Sequence, residues 1–262
     1  MHKFDNKWLL LRERIDTISR NQKAIDKINT YLKKYNQVNI MDLGCGTGSN
    51  YRYLSKRIKG KQDWLMTDIS LESINYFKRS LVLKSNTNLI SFKKINVIKD
   101  IEKIKFDNFN LITGSAFLDI MPRQWFKEFS RLNTNTKIIY FSINYDGFFK
   151  FTPKHQDDEL VLKLFNKDQK SDKGIGLKAV GQDCTSIINT AFSKTHKTYI
   201  FNSDWKVTNN KAFQKIFINF CENVILKNKL DLRDWIKFRR DCITNNKSKI
   251  LLRNKDFLAL KI

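Results

Sequence analysis

The sequence is poor in cysteine, proline and histidine. Its 262 residues include only 4 Cys, 2 Pro and 3 His. The cysteines are scattered, with no Cys-x-x-Cys pair and no histidine pair at metal-ligand spacing, so we expect no zinc site and no other metal. Because proline is nearly absent, no stretch resembles an interdomain linker. These shortages favour a single domain over residues 1–262, which is long enough to bury a sizeable core.

Long apolar runs are missing as well. The sequence contains no run of about 18 apolar residues, the length that a transmembrane helix requires. Residues 1–5 carry neither the apolar segment nor the cleavage pattern of a secretory signal. Unpaired cysteines in a protein without a leader are typical of the reducing cytosol. We therefore expect a cytoplasmic protein with no transmembrane segment.

Acidic residues are too few to balance the basic ones. Asp and Glu total 26 against 49 Lys and Arg, which gives a formal net charge of +23. Such an excess raises the question of a polyanionic partner, such as nucleic acid or a membrane surface. The excess is mostly lysine, spread evenly beside abundant Asn, Ile and Phe, as in proteins from AT-rich genomes. We favour solvated lysine faces, with a polyanion site and a preference for acidic small molecules as the alternatives.

Glycine is scarce too, but three of the nine glycines alternate at Gly44, Gly46 and Gly48. An apolar run, 38–41, precedes them, and a helix-like stretch follows. Strand, glycine turn and helix form the context in which such a turn binds a cofactor, because glycine lets the backbone approach a ligand closely. The alternative is an ordinary strand-to-helix turn. Asp68 ends the next apolar run about 20 residues later, the spacing at which an acid meets ribose hydroxyls.

The letters of this turn, from Asp42 through Leu-Gly-Cys-Gly-Thr to Gly48, resemble motif I of the class I S-adenosylmethionine (SAM) methyltransferases. The resemblance implies that the turn holds the methionyl part of SAM and that Asp68 accepts the ribose hydroxyls. Asn96 and Val97 would meet the adenine, and Ser115 would lie near the sulfonium. The expected cofactor-binding residues are Arg12, Asp42, Gly44, Cys45, Gly46, Gly48, Asp68, Ile69, Asn96, Val97 and Ser115.

Strand and helix patterns alternate along most of the chain. Helical spacing covers 7–35, where Asn21 could cap a second helix. The predicted strands are 38–43, 64–68, 89–96, 109–116, 137–143, 198–205 and a last strand at 257–260. The predicted helices between them are 49–58, 71–83, 122–132, 183–193, an amphipathic helix containing Phe213 to Val224, and 232–243. This alternation predicts right-handed βαβ units and a parallel sheet.

The resemblance and the alternation together predict an α/β, Rossmann-like class I methyltransferase fold. Its sheet would be mostly parallel and seven-stranded, with helices on both faces and the last strand inserted antiparallel. Residues 1–36 would form a helical preface over the cofactor, from which Arg12, Arg14 or Arg20 could reach a carboxylate. The alternation of strand and helix patterns stops at 145–180, where a helix is expected near 160–165. We interpret this insert as the acceptor-binding region, with a mobile surface loop as the alternative.

Methyl transfer requires alignment of acceptor and methyl, and a base only when the acceptor must lose a proton. Asp119 follows the fourth strand, and Tyr145 and Asp146 follow the fifth, so these three are the candidate catalytic residues. Asp119 could instead cap a turn. No Pro-Pro motif of enzymes that methylate exocyclic base amines follows the fourth strand.

A closer resemblance, to a bacterial family of class I methyltransferases without an assigned substrate, covers most of the chain. It rests on four sequence patterns, which are Trp8 to Arg20, Ser49 to Leu54, Ser142 to Gly147 and Phe165 to Gly176. In the last pattern Gln169 and Lys173 are the expected substrate-binding residues. The family has a histidine before the glutamine, where this chain has Asp168.

We interpret the sequence as a SAM-dependent methyltransferase acting on an O or N of a small molecule, with acidic molecules as one candidate class. An RNA methyltransferase is the alternative that the net charge favours, although no RNA-binding module is attached. A second alternative is a SAM-binding fold that serves as a non-catalytic partner subunit.

Overall fold

The computed structural model describes residues 6–81, 88–174 and 176–262. Their sheet runs in the order β3-β2-β1-β4-β5-β8-β6, with β7 paired to β8. Strands β1 to β5 pair in parallel, whereas β8 lies antiparallel between β5 and β6. The strands are β1 (Gln37–Leu43), β2 (Lys61–Asp68), β3 (Leu89–Lys94), β4 (Leu111–Ser115), β5 (Ile138–Thr152), β6 (His196–Asn202), β7 (Trp205–Val207) and β8 (Lys249–Lys261). The predicted α/β, Rossmann-like fold and its antiparallel last strand are confirmed, whereas the sheet of the described residues has eight strands instead of the predicted seven.

The helices follow the predicted order. They are α1 (Asn6–Ser19), α2 (Gln22–Leu32), α3 (Ser49–Leu54), α4 (Leu71–Leu81), α5 (Arg123–Leu132), α6 (Asp158–Gln169), α7 (Cys184–Phe192), α8 (Lys211–Lys227) and α9 (Arg233–Thr244). Asn21 caps α2 as predicted, since its side chain accepts a hydrogen bond from the Lys23 N–H at 3.0 Å. Helix α3 is shorter than expected, and the predicted end of α4 at Leu83 lies outside the described residues. Within the described residues, no helix is long and apolar enough to cross a membrane.

The sheet departs from the prediction at β5 and at the sixth strand. Strand β5 continues to Thr152 and pairs with the first half of β8, so the first part of the predicted insert is a strand. Phe149 and Phe151 are buried on either side of exposed Lys150, an alternation that supports this extension. The predicted sixth strand is divided into β6 and β7. Between them the Asp204 side chain accepts the Asn254 N–H at 3.2 Å, which replaces a bond of the strand ladder.

The hydrophobic core has three parts. One part lies between a face of the sheet and helices α2, α3 and α4. A second part lies between the opposite face and helices α5 and α7. The third belongs to what we call the cap lobe, formed by residues 145–169, 205–244 and 249–254. Helix α1 joins this lobe because Trp8 stacks on Phe213 at 5.0 Å between ring centroids. The cap lobe therefore stands beyond the carboxyl ends of the parallel strands, where open α/β sheets bind ligands.

Candidate functional site

The glycine turn joins β1 to α3, and its geometry requires glycine. Gly44, Gly46 and Gly48 have φ angles of +67°, +51° and +90°. A Cβ atom at Gly48 would lie 2.4 Å from the Phe77 ring, and one at Gly44 would lie 2.9 Å from Phe117. Cys45 is buried between them, and its N–H donates to the Thr67 carbonyl of β2 at 2.8 Å. The loop is thus a backbone surface held tightly against the sheet.

Asp42 lies beneath this loop and is fully buried. Its Oδ1 accepts a hydrogen bond from Asn50 Nδ2 at 2.8 Å, and Asn50 also donates to Thr113 Oγ1 at 3.2 Å. The other oxygen, Oδ2, has no hydrogen-bond partner among the described residues. Burial raises the pKa of Asp42 to about 7, although the Asn50 hydrogen bond and the charge of Arg20 oppose the shift. Asp42 therefore fastens α3 to the sheet and keeps one oxygen for another donor.

Asp68 ends β2 beside the loop. Its Oδ2 accepts the Gly46 N–H and its Oδ1 accepts the Ser70 N–H, each at 2.8 Å. Burial raises the pKa of this carboxyl group, and the backbone hydrogen bonds from Ser70, Gly46 and Ile69 oppose that shift. Because each carboxylate oxygen can accept two hydrogen bonds, both oxygens keep acceptor capacity. Asp68 and the half-buried Ile69 thus lie next to the glycine turn, as the sequence predicted.

Asn96 and Val97 follow β3 and lie beside Asp68, whose carbonyl accepts the Ile95 N–H at 3.0 Å. The Asn96 Oδ1 atom accepts the backbone N–H groups of Ile98 and Lys99 at 3.1 and 3.2 Å. Its oxygen therefore stabilises the turn after β3. The Val97 carbonyl accepts the indole N–H of Trp125 at 3.1 Å, which fixes this turn against α5.

Ser115 ends β4, two residues beyond the Asp42–Thr113 pair of neighbouring strands. Its Oγ accepts a hydrogen bond from Arg20 Nη2 at 2.8 Å. Arg12, the arginine that the sequence favoured, lies elsewhere on α1: its Nε is 3.1 Å from Asp16 Oδ2. The structure thus brings Arg20, and not Arg12, to the end of β4.

Asp119 lies in a short 3-10 turn after β4 and is half-buried. Its Oδ1 atom has no hydrogen-bond partner among the described residues. Burial raises the pKa of Asp119 to about 6, and the charges of Arg12 and Lys173 oppose that shift. An ionised carboxylate with an open oxygen beside the end of β4 is suited to accept a proton at neutral pH.

Tyr145 and Asp146 lie on the extended part of β5 and are both engaged. The Tyr145 hydroxyl donates to Asn166 Oδ1 at 2.8 Å, and burial raises the pKa of this phenol well above its usual value. The Asn166 amide in turn donates to the Gly147 carbonyl at 2.8 Å. Asp146 pairs with Arg253 at 2.7 Å. Of the three candidate catalytic residues, Asp119 is therefore the one with a buried polar atom that has no hydrogen-bond partner among the described residues.

Gln169 and Lys173 lie at the end of α6 and just beyond it. Lys173 Nζ donates to the Asp168 carbonyl at 2.6 Å and to its carboxylate at 3.2 Å. Lys227 of α8 contacts the other oxygen of the same carboxylate at 2.9 Å. Gln169 is half-buried, and its backbone packs against Gly181. Asp168 thus holds Lys173 within the electrostatic reach of Asp119.

Sequence reasoning missed the contact that fastens α1 to the glycine turn. Arg52 forms two hydrogen bonds of 2.6 Å with the Glu13 carboxylate and one of 2.7 Å with the Thr47 carbonyl. Such a paired arginine–carboxylate contact fixes orientation as well as distance. It also missed Gln182, whose buried Oε1 atom has no partner among the described residues. Neither residue follows a predicted strand, so spacing gave no signal for them.

Comparison with known proteins agrees with this geometry. Residues 40–135 match the family described as "Methyltransferase domain". A ribosomal protein L11 methyltransferase of Lactobacillus johnsonii is 30% identical over 122 residues, which cover 47% of this chain and 37% of that protein. The chain thus matches little more than a third of the length of this relative.

Solved structures with the same fold come from diverse sources. A cyclopropane-fatty-acyl-phospholipid synthase-like protein from Lactobacillus casei superposes with a TM-score of 0.60 at 12% identity, covering 95% of this chain and 92% of that one. A phosphoethanolamine N-methyltransferase 2 from Haemonchus contortus, solved with S-adenosyl-L-methionine, gives 0.50 at 11% identity, covering 99% and 58%. The resemblance to class I methyltransferases is confirmed to this extent: residues 40–135 match a methyltransferase domain, and the chain adopts the class I methyltransferase fold.

Proposed function

We propose that this chain is a SAM-dependent methyltransferase that transfers a methyl group by direct displacement to an O or N of a small molecule. One observation carries the proposal. The glycine turn is pressed between Phe77 and Phe117, and the Asp68 carboxylate is fixed to it through the Gly46 N–H at 2.8 Å. A backbone surface beside an acceptor-only group suits a ligand that carries both an amino acid and a ribose.

The residues at the ends of four neighbouring strands fit this cofactor. The turn from Asp42 to Gly48 would hold the methionyl part, and Asp68 would accept the ribose hydroxyls. Asn96 and Val97 would border the adenine, and Ser115 would lie near the sulfonium. The cofactor-binding residues in this proposal are Asp42, Gly44, Cys45, Gly46, Gly48, Asp68, Ile69, Asn96, Val97 and Ser115. Arg12, which the sequence also predicted, pairs with Asp16 instead.

SAM supplies a methyl group bonded to a positively charged sulfur. The chain's own task is to hold an acceptor atom in line with that methyl and to remove a proton where the acceptor carries one. We assign proton removal to Asp119, whose Oδ1 has no partner among the described residues. Tyr145 and Asp146 would shape the wall beside it, the first through Asn166 and the second through Arg253.

The acceptor region would lie between Asp119 and the end of α6. Gln169 and Lys173 are its proposed binding residues, and the positive charges of Lys173 and Arg12 act on Asp119. These charges suit an acceptor that carries an acidic group. The names of two of the matched proteins specify different acceptors, a ribosomal protein and phosphoethanolamine. We therefore expect the cap lobe, and not the shared fold, to determine which acceptor binds. The four buried free thiols agree with a reducing compartment, and we propose the cytoplasm.

Calorimetry with S-adenosylhomocysteine (SAH) tests the cofactor half of this proposal. We expect binding by the unaltered protein and a loss of at least about 10-fold for Asp68→Ala, since two ribose hydrogen bonds to a charged group are removed. Asp63→Ala is the matched control, because Asp63 lies at the opposite end of β2 and contacts Gln37. Absence of SAH binding by the unaltered protein would remove the proposal.

Transfer to an acceptor requires a second experiment. The protein is incubated with methyl-labelled SAM and a cell extract, which is then separated into RNA, lipid, protein and small-molecule fractions. Label in the small-molecule fraction is the expected result. Label in RNA, with binding that weakens steeply as salt rises, would instead support the RNA methyltransferase that the net charge of +23 favours.

A further inference from the structure

Arg20 follows α1 and is buried, with 6% of its surface exposed. Its Nη2 atom donates to Ser115 Oγ at 2.8 Å, whereas Nε and Nη1 are buried and have no hydrogen-bond partner among the described residues. The guanidinium lies over the ring of Tyr53 at 4.5 Å. A buried cation whose N–H groups are unmatched costs free energy, because water no longer solvates it. Such an arrangement calls for an anionic partner.

The shape of the guanidinium defines that partner. Nη2 carries two hydrogens, one on each of two edges of the planar group, and Ser115 accepts only one of them. Whichever hydrogen it takes, another edge still presents two parallel N–H groups. Two parallel N–H groups match the two oxygens of a carboxylate.

The surrounding carboxylates of the protein do not occupy this edge. Burial raises the pKa values of Asp16, Asp42 and Asp256, and each lies close enough for the charge of Arg20 to oppose that rise. None of them forms an ion pair with Arg20; within the described ranges, Asp16 pairs with Arg12. Asp256 accepts Tyr140, Ile143 and Asn21 instead. Arg20 therefore faces acidic residues that are engaged elsewhere or lie beyond ion-pair distance.

The position of Arg20 relates it to the glycine turn. Thr113 pairs with Asp42 across β4 and β1, so Ser115 lies at the level of Gly44, where the turn begins. Arg20 is anchored to Ser115 and therefore reaches the end of the cradle proposed for the methionyl group. The carboxylate is the single anionic group of SAM, whose sulfur and amino group are both positively charged.

We propose that Arg20 binds the methionyl carboxylate of the cofactor and makes the protein select SAM and SAH over their decarboxylated forms. This inference rests on the proposed function. A carboxylate of the acceptor has the same chemistry, but Ser115 places Arg20 at the glycine turn, whereas the proposed acceptor residues Gln169 and Lys173 lie at the end of α6 and just beyond it. We therefore commit to the cofactor as its source.

Calorimetry with two probes in the absence of acceptor tests this inference. One probe is SAH, and the other is the same thioether lacking only the carboxylate. The unaltered protein should bind SAH about 10- to 100-fold more tightly, the range expected for a paired charge-assisted contact. Arg20→Met should bring this ratio close to one. Arg20→Lys should leave it in between, because lysine keeps the charge without the paired edge.

Arg57→Met is the matched control. Arg57 also stacks on the Tyr53 ring, at 4.0 Å, but its Nη1 donates to the Tyr53 carbonyl, so the probe ratio should stay unchanged. If Arg20 were only a structural counterion, its variants would weaken both probes equally, and that result would overturn the inference. If Arg20→Met kept the affinity ratio of the two probes seen in the unaltered protein and lost only methyl transfer to the acceptor, the inference would be overturned in favour of the acceptor carboxylate. Failure of the unaltered protein to bind SAH would contradict the proposed function itself.

Discussion

The two halves of the candidate site are built in different ways. In the cofactor half, the glycine turn and Asn96 follow strands of the parallel part of the sheet, and Asp68 and Ser115 end two others. In the cap lobe, residues from β5, α6, α8 and β8 meet although long stretches of sequence separate them. The first half is arranged by the order of strands, since parallel strands present their carboxyl ends at one edge. The second half is arranged by the packing of side chains.

This difference determines which interactions each half depends on. The cofactor half depends on backbone conformation and on the absence of side chains at Gly44 and Gly48. The cap lobe depends on aromatic packing, in which Phe149, Phe165 and Phe217 contact one another at ring distances of 5.2 to 5.8 Å. A substitution should therefore act through backbone strain in one half and through lost contacts in the other.

The largest expected effect separates crowding from backbone strain in the glycine turn. Gly48 and Gly60 have nearly equal φ angles, +90° and +91°, but an added Cβ meets Phe77 at 2.4 Å in the first case and no atom within 4 Å in the second. Phe77 cannot retreat easily, because it is fully buried against Tyr51 and Phe92. We expect Gly48→Ala to lower the free energy of unfolding by about 3–6 kcal/mol and to abolish SAH binding.

Gly60→Ala carries only the backbone term and should cost about 1–2 kcal/mol with SAH affinity unchanged. Denaturant unfolding and calorimetry on both variants make the comparison. Equal destabilisation by the two substitutions would show that crowding against Phe77 contributes nothing to the turn.

The next effect concerns the contact between α1 and the cap lobe. Trp8 stacks on Phe213 and meets Phe220 edge-on, each at 5.0 Å. Trp8→Ala removes a buried aromatic ring and should lower the free energy of unfolding by about 3 kcal/mol. Leu10 on the same helix is exposed, so Leu10→Ala should change the free energy of unfolding by less than about 0.5 kcal/mol. A small effect of Trp8→Ala in chemical denaturation would contradict the docking of α1 on the cap lobe.

The same contrast explains how far the sequence could be interpreted alone. Asp42, Asp68 and Ser115 were recognisable because each lies next to a strand end in a short, ordered segment. The extension of β5 was missed because Tyr145 to Gly147 reads as a turn, whereas its pairing partner, the first half of β8, lies about a hundred residues away. The choice between Arg12 and Arg20 depended on Asp16, which takes Arg12 and leaves Arg20 to Ser115. A local sequence pattern does not reveal which of the two arginines pairs with Asp16.

A third prediction uses the buried carboxylate of the cofactor half. Because burial raises the pKa of Asp42 to about 7, the folded protein binds this proton more tightly than the unfolded chain does. The unaltered protein should therefore lose stability as pH rises from about 4 to about 7. Asp42→Asn removes the charge and keeps the shape, so it should be more stable than the unaltered protein by about 4 kcal/mol at pH 8, the free energy that corresponds to a pKa shift of this size.

That gain should shrink to about 0.5 kcal/mol at pH 4, where the folded-state carboxyl group is protonated and the unfolded chain is close to its own pKa. Unfolding of the two proteins is measured at pH 4, 6 and 8, and their difference isolates this carboxyl group from the others. A constant difference across the range would show that Asp42 is not held in a raised-pKa state by its burial.

The smallest expected effect concerns the acceptor side, where Lys173 and Lys227 share the Asp168 carboxylate. Lys173 is the more enclosed, with 16% of its side chain exposed against 54% for Lys227. The charge of Lys173 lowers the pKa of Asp119, so Lys173→Ala should raise that pKa further above about 6, as a carboxyl-carbon NMR titration would show. SAH affinity should change less than about 2-fold, while turnover falls, because a base with a higher pKa is ionised less often near neutral pH. Lys227→Ala removes the other partner of Asp168 and should leave the Asp119 titration unchanged, so an equal shift in both variants would contradict the placement of Lys173 beside Asp119.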